Sequence, residues 1–366
     1  MKNLIKALGI ITISGIIALL LISCDENGKI GGGGGGIFGS STINISTPAD
    51  FNAIRNNLRG NYTLTANISM AGYDNWAPIG TWSDPFRGKL NGNGYKITGL
   101  TINRPTEDYI GLFGVIKSGA ALNNIALENV SIQGLSEVGG IAGLLESSTI
   151  NNSYSTGIIT AVRGNAGGIA GRINNSGIQN SFSSAVINAS NTSGNFGDAG
   201  GIAGIIYYSW IANCYSTGNI TASSTSGSYG DAGGIAAEAI NSDITNSYSR
   251  GDITANRGTA GGIVGMTNDS VITNNAAINS NITASTAGRI VGSATDSDII
   301  INNFALDSMI TTAFFESLHN GTSKTYTELR TQNTYSYSIS SGGLGWNFSN
   351  IWRIPQGGGF PVLRWQ

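Results

Sequence analysis

The chain has 366 residues, 19 Lys and Arg against 21 Asp and Glu, and a formal net charge of −2. That balance leaves no electrostatic footprint for nucleic acid or for an anionic membrane surface. The 54 glycines, together with many Asn, Ser, Thr and Ile, exclude a helical protein and predict an all-β one, because these residues are poor in helix interiors and the β-branched ones favour strands.

Lys2 and Lys6 open the chain, and an apolar stretch follows from Ala7 to Ile22, about as long as a signal-peptide core and marginal for a spanning helix. It ends in Leu21-Ile22-Ser23-Cys24, which resembles the lipobox of bacterial lipoproteins. The resemblance implies an export signal over 1–23, cleavage before Cys24, and a lipid on Cys24 that holds the protein to a membrane, the outer membrane or cell surface. Residues 24–44 read as a tether, since Gly31 to Gly36 run unbroken and hold no fixed backbone cheaply. With Cys24 lipidated, Cys214 is the remaining thiol and no intrachain disulfide is expected.

Thr47-Pro48-Ala49-Asp50 then predicts a helix start, with Thr47 capping and Pro48 at the first position. The helix should run to about Leu58, stop at Gly60, and lay Phe51, Ile54 and Leu58 over the first coil of a repetitive region.

From there internal repetition dominates. Gly139-Gly140-Ile141-Ala142-Gly143 recurs at Gly167, Gly200, Gly233 and Gly261, with degenerate copies at Gly111 and Gly288. One asparagine marks the period: Asn124, Asn152, Asn180, Asn213, Asn246, Asn274 and Asn302, spaced 28, 28, 33, 33, 28 and 28. Each unit holds three short apolar or β-branched runs, in one copy over 168–171, 178–183 and 185–189. Three short strands per repeat predict one coil of a parallel β-helix, roughly eight to ten coils over 45–310, with equivalent residues about 4.8 Å apart. Ile141, Ile169, Ile202, Ile235, Ile263 and Ile290 should stack as an aliphatic column, and the seven asparagines as a structural ladder of side-chain amides. Cys214 falls where other coils place Ser153, Ser181 and Ser247, and reads as a small buried stacker. Residues 311–366 lose the repeat, gain Trp346, Phe348, Trp352, Phe360 and Trp365, and read as a C-terminal aromatic cap.

The Gly-Leu-Phe-Gly and Gly-Gly-Ile-Ala-Gly units, followed by Asn-Ser-Tyr-Ser-Thr-Gly, resemble the GLUG repeat of bacterial surface proteins. So do the lead-in around Trp76-Ala77-Pro78-Ile79-Gly80 and the ending through Phe360-Pro361-Val362-Leu363-Arg364-Trp365. The resemblance implies a right-handed, pectate-lyase-like parallel β-helix, found in adhesin-like proteins or as a module beside peptidases.

No catalytic residue is assigned from the sequence. The single histidine, His319, lies in the cap region and reads as a surface residue. Zinc-type His/Cys clusters, phosphate loops and calcium-loop spacings are absent, so neither metal nor cofactor is expected. The column before the double glycine reads Glu137, Asn165, Asp198, Asp231 and Thr259. Asp198 and Asp231 should stand one coil apart, about 5 Å, near the carboxyl spacing of a retaining glycosidase. Their Gly-rich turns read as solvated, and no Arg or Lys column accompanies them. Ligand binding is expected instead around two five-residue inserts, which bring Phe196 beside Tyr229 and Asp198 beside Asp231. A second candidate is the trio Tyr207, Tyr208 and Trp210, aromatics in slots other coils fill mostly with polar or small residues; the sequence does not decide whether it shares a face with the inserts. The expected function is therefore a non-catalytic, surface-tethered rod binding a glycan or host surface protein, with a polysaccharide hydrolase or lyase built on Asp198 and Asp231 as the alternative.

Overall fold

The structure, a computed structural model, describes residues 41–191, 197–225, 229–312 and 320–366. The export signal, Cys24, most of the tether, Phe196 and His319 lie outside the described residues.

Successive coils pair in parallel. Thr149–Asn151 lies between Ala121–Asn123 and Gly177–Gln179, with Ile150 opposite Leu122 and Ile178. Three long sheets result, of 10, 7 and 20 strands, and together they form the expected parallel β-helix. The first strand is Thr42–Ile45, and the last parallel pairing joins Phe304–Leu306 to Thr322–Lys324. All six isoleucines of the aliphatic column are 0% exposed, so each coil buries its apolar side against its neighbours. The repeated Gly-Gly is a matter of space. A Cβ on Gly200 would overlap the carbonyl oxygen of Ala203, and one on Gly201 would overlap Ser216 Oγ.

The seven repeat asparagines all have φ between 49° and 59°. They are selected for the left-handed corner, which asparagine tolerates better than other side chains. The expected amide ladder does not run through them: among the described residues no hydrogen bond joins two of the seven side chains. It runs one residue later, along the inward column of Ser153, Ser181, Cys214, Ser247, Asn275 and Asn303. There the N–H of Ser153 donates to Ser181 Oγ (3.1 Å) and that of Asn275 to Asn303 Oδ1 (2.9 Å). Cys214 is fully buried in this column, and burial pushes its thiol up to about 12. A second ladder, unnoticed in the sequence, follows the next corner. The N–H groups of Ser148, Ser176, Ser209 and Ser242 each donate to the serine Oγ one coil on, at 3.1–3.2 Å.

The N-terminal helix, α1 (Pro48–Ala53), forms with a capping box between Thr47 and Asp50. It is shorter than expected and tightens into a 3₁₀ turn over Ile54–Asn56. Phe51 and Ile54 are 0% exposed, and Phe51 packs on Trp76 and Phe113. The C-terminal aromatics do not simply cover the far end. Tyr154, Phe182, Tyr215 and Tyr248 stack at 4.7, 4.8 and 4.9 Å on the outside of the coils. The tail runs back along this apolar stripe: Trp346 Nε1 donates to Asn274 O and Trp365 Nε1 to Asn180 O. Trp352 is 0% exposed beneath it.

Candidate functional site

The strand Ala236–Ile240 pairs in parallel with Ala203–Tyr207, placing Glu238 opposite Ile205 and Ile240 opposite Tyr207. The glycine turns preceding these strands carry Asp198 and Asp231, because Ala199–Gly200 and Ala232–Gly233 are paired in register. The two turns and the strand bring Asp198, Asp231 and Glu238 together, with one ligand-competent oxygen of each within 4.8 Å of the others. Asp231 and Glu238 line a groove of about 520 Å³ whose walls include Tyr207, Tyr229, Arg257 and Met266; Asp198 is not among its walls.

The expectation that the two aspartates are solvated is corrected here. Asp198 is 0% exposed and Asp231 and Glu238 are 7% each, because the neighbouring coils close over the turns. Asp198 Oδ1 accepts from the N–H of Asp231 (2.9 Å), and Asp231 Oδ1 accepts from the N–H and hydroxyl of Thr259 (2.7 and 2.8 Å). Asp198 Oδ2 has no hydrogen-bond partner. Among the described residues the ion pairs are Lys96–Glu128, Arg104–Glu107, Lys117–Glu146 and Lys324–Glu328, so none reaches the cluster. Burial raises all three carboxyls, followed by the nearby negative charges at Asp198 and Glu238. Glu238 is pushed up to about 7. Unlike charges would have repaid the desolvation; like charges add to it.

Of the residues expected to bind ligand, the fold unites Tyr207, Tyr229 and Asp231 around the groove and buries Asp198 next to Asp231. It separates the rest. Tyr208 occupies a left-handed corner (φ 46°), 63% exposed, and Trp210 lies on the next sheet, its ring over Gly177. A corner between Tyr207 and Trp210 turns their side chains onto different faces, so the trio is not one patch. Basic side chains, not expected beside the aspartates, are present: Arg257 lines the groove and Arg172 lies 4.8 Å from the Tyr207 ring. Glu238 was missed. Its signal was readable: its column otherwise holds Val115, Leu144, Arg172, Ile205, Met266 and Ser293, so it is the one acid there.

The fold and this cluster define a parallel β-helix carrying a buried acidic site. Residues 50–157 match the model of the M26 IgA1-specific metallo-endopeptidase N-terminal region. A solved structure, a candidate immunoglobulin A1 protease from Bacteroides ovatus, superposes with a TM-score of 0.60 over 90% of this chain and 94% of that one, at 24% identity. Two curated relatives match shorter stretches. A protein proposed to be a Gly-rich membrane protein, from Evansella cellulosilytica, is 38% identical over 109 residues, 27% of this chain. Halomucin from Haloquadratum walsbyi is 35% identical over 134 residues, 33% of this chain. The matches span 13% and 2% of those two relatives.

These likenesses overturn the expected non-catalytic adhesin, since the matching family region and the matching fold both come from proteins described as proteases. The burial of Asp198 and Asp231 removes the other support for that expectation, which was their solvation. A catalytic zinc, which a metallo-endopeptidase implies, does not fit the cluster. Its donors are three carboxylates, catalytic zinc sites draw on histidine, and the chain's one histidine is His319.

Proposed function

We propose that the protein is a surface-tethered hydrolase of peptide bonds, acting on an extended segment of a secreted host protein such as immunoglobulin A1. The observation that carries this reading is the Asp198–Asp231–Glu238 cluster: three buried carboxyls, two of them on the wall of an open groove, that make no ion pair among the described residues. Carboxyls this close cannot all ionise near neutrality, so they share protons, and the environment separates an acid from a base. An ionised carboxylate takes a proton from water as the water oxygen bonds to the carbonyl carbon. A protonated neighbour gives its proton to the amide nitrogen as the C–N bond breaks, releasing an acid and an amine. Asp231 and Glu238, each slightly exposed, meet the substrate; Asp198, fully buried and raised well above the ordinary carboxylate range, holds a proton behind them. Tyr207 and Tyr229 offer walls for an extended chain.

The GLUG-like repeats and the lipobox-like Leu21-Ile22-Ser23-Cys24 support the finer parts of this reading, a lipid on Cys24 and display at the outer membrane or cell surface. The test is incubation of the full chain with immunoglobulin A1 and other secreted glycoproteins, with fragments identified by mass spectrometry. Cleavage is expected to survive chelator and to be lost in Asp231→Asn and Glu238→Gln. Absence of cleavage, or cleavage unchanged in both variants, overturns the reading.

A further inference from the structure

Asp198 carries the least satisfied polar atom of the cluster. Its Oδ1 holds the N–H of Asp231, while Oδ2 is buried in a residue with 0% exposure and meets no donor. A buried carboxylate oxygen left bare costs free energy that a proton or a cation must offset. The donors around it are carboxylate oxygens of Asp231 and Glu238. Hard oxygen donors without nitrogen or sulfur select alkaline-earth ions rather than zinc or copper.

Coordination geometry then discriminates within that class: calcium accepts about six to eight oxygens in a flexible arrangement, whereas magnesium demands a near-ideal octahedron and dehydrates reluctantly. Asp198 and Asp231 sit on hydrogen-bonded turns of adjacent coils paired through Ala199–Gly200 and Ala232–Gly233, which are not free to rebuild such an octahedron. The groove beside them admits water to complete the coordination. We propose that Asp198, Asp231 and Glu238 form a calcium-binding site that clips two adjacent coils together at the groove. It goes beyond the hydrolase reading: a bound calcium would compete with the shared proton for the same carboxyls, and binding can be measured whether or not the protein cleaves anything.

Calcium chloride titrated into the full chain, calorimetrically and with melting followed in parallel, tests it, with magnesium chloride as the comparison. One calcium per chain is expected, with Kd near about 10⁻⁴ M as in extracellular modules, and a higher melting temperature. Magnesium should bind at least about tenfold more weakly. Asp198→Asn keeps an oxygen for the Asp231 N–H, so it should fold and lose at least about tenfold in calcium affinity; Glu238→Gln serves as a second variant should Asp198→Asn fail to fold. No calcium binding to the native chain, or equal binding by folded variants, overturns the proposal. Cleavage without calcium binding would sink this site and leave the hydrolase; calcium binding without cleavage would do the reverse.

Discussion

Replacing Glu238 by glutamine isolates the energetics of the buried acidic cluster. Its carboxyl is pushed from an ordinary 4.5 up to about 7, by burial first and the Asp231 charge second. Asp198, Asp231, Arg257 and Tyr207 share its surroundings, and among the described residues no ion pair offsets its charge. A raised folded value means that the native state binds its proton more tightly than the unfolded chain does. Stability from this proton is fully present below about pH 4.5 and is lost as pH rises through about 7. The shift, 7 − 4.5, is about 2.5 units, and at 1.36 kcal/mol per unit the native protein forfeits up to about 3 kcal/mol at pH 8. Glutamine cannot ionise. The variant should therefore gain up to about 3 kcal/mol on the native protein between pH 4 and pH 8, most of it between pH 5 and pH 7. Asp198 moves in the same direction, since the Glu238 charge helps to raise it. The assay is urea denaturation of both proteins at each pH, with chelator present, read as a difference at matched pH. A difference that stays flat from pH 4 to pH 8 would refute the buried, unpaired environment and weaken the acid–base reading with it.

Three other perturbations probe the packing. Tyr208→Asn should stabilise the protein by about 1 kcal/mol in denaturant, because a bulky side chain now occupies a left-handed corner that asparagine fills at Asn175 and Asn241; no gain would mean the corner is unstrained. Ser209→Ala removes the acceptor of the Ser176 N–H and should cost about 1–3 kcal/mol by the same assay, whereas a cost near zero would mean that the ladder does not support the coils. Trp352→Ala, at a site with 0% exposure, should cost about 3–5 kcal/mol. It should also free the tail from the Tyr215–Tyr248 stretch, seen as faster proteolysis after residue 345; a tail that stays protected would show that Trp352 does not hold it.

Repetition made the coil legible. Seven asparagines at steps of 28 and 33, and six isoleucines at steps of 27, 28 and 33, define a stack whatever the loops do, since a period in sequence must become a translation in space. The capping box at Thr47 and Asp50 was equally local, and so was the burial of Cys214 among serines of the same column. What the asparagines do was not visible, because a left-handed corner and an amide ladder both select the same residue. The cluster was half legible. Register alone brought Asp198 beside Asp231, but their burial depends on how closely the turns of neighbouring coils approach, and composition misled by suggesting solvent at Gly-rich turns. Glu238 joins them from a different strand of its own coil, and the aromatic trio separates because a corner falls between Tyr207 and Trp210. Periodicity along the chain thus determined which residues stack. Only the tertiary structure decided which columns meet across a corner, because that depends on backbone turns whose direction no spacing encodes.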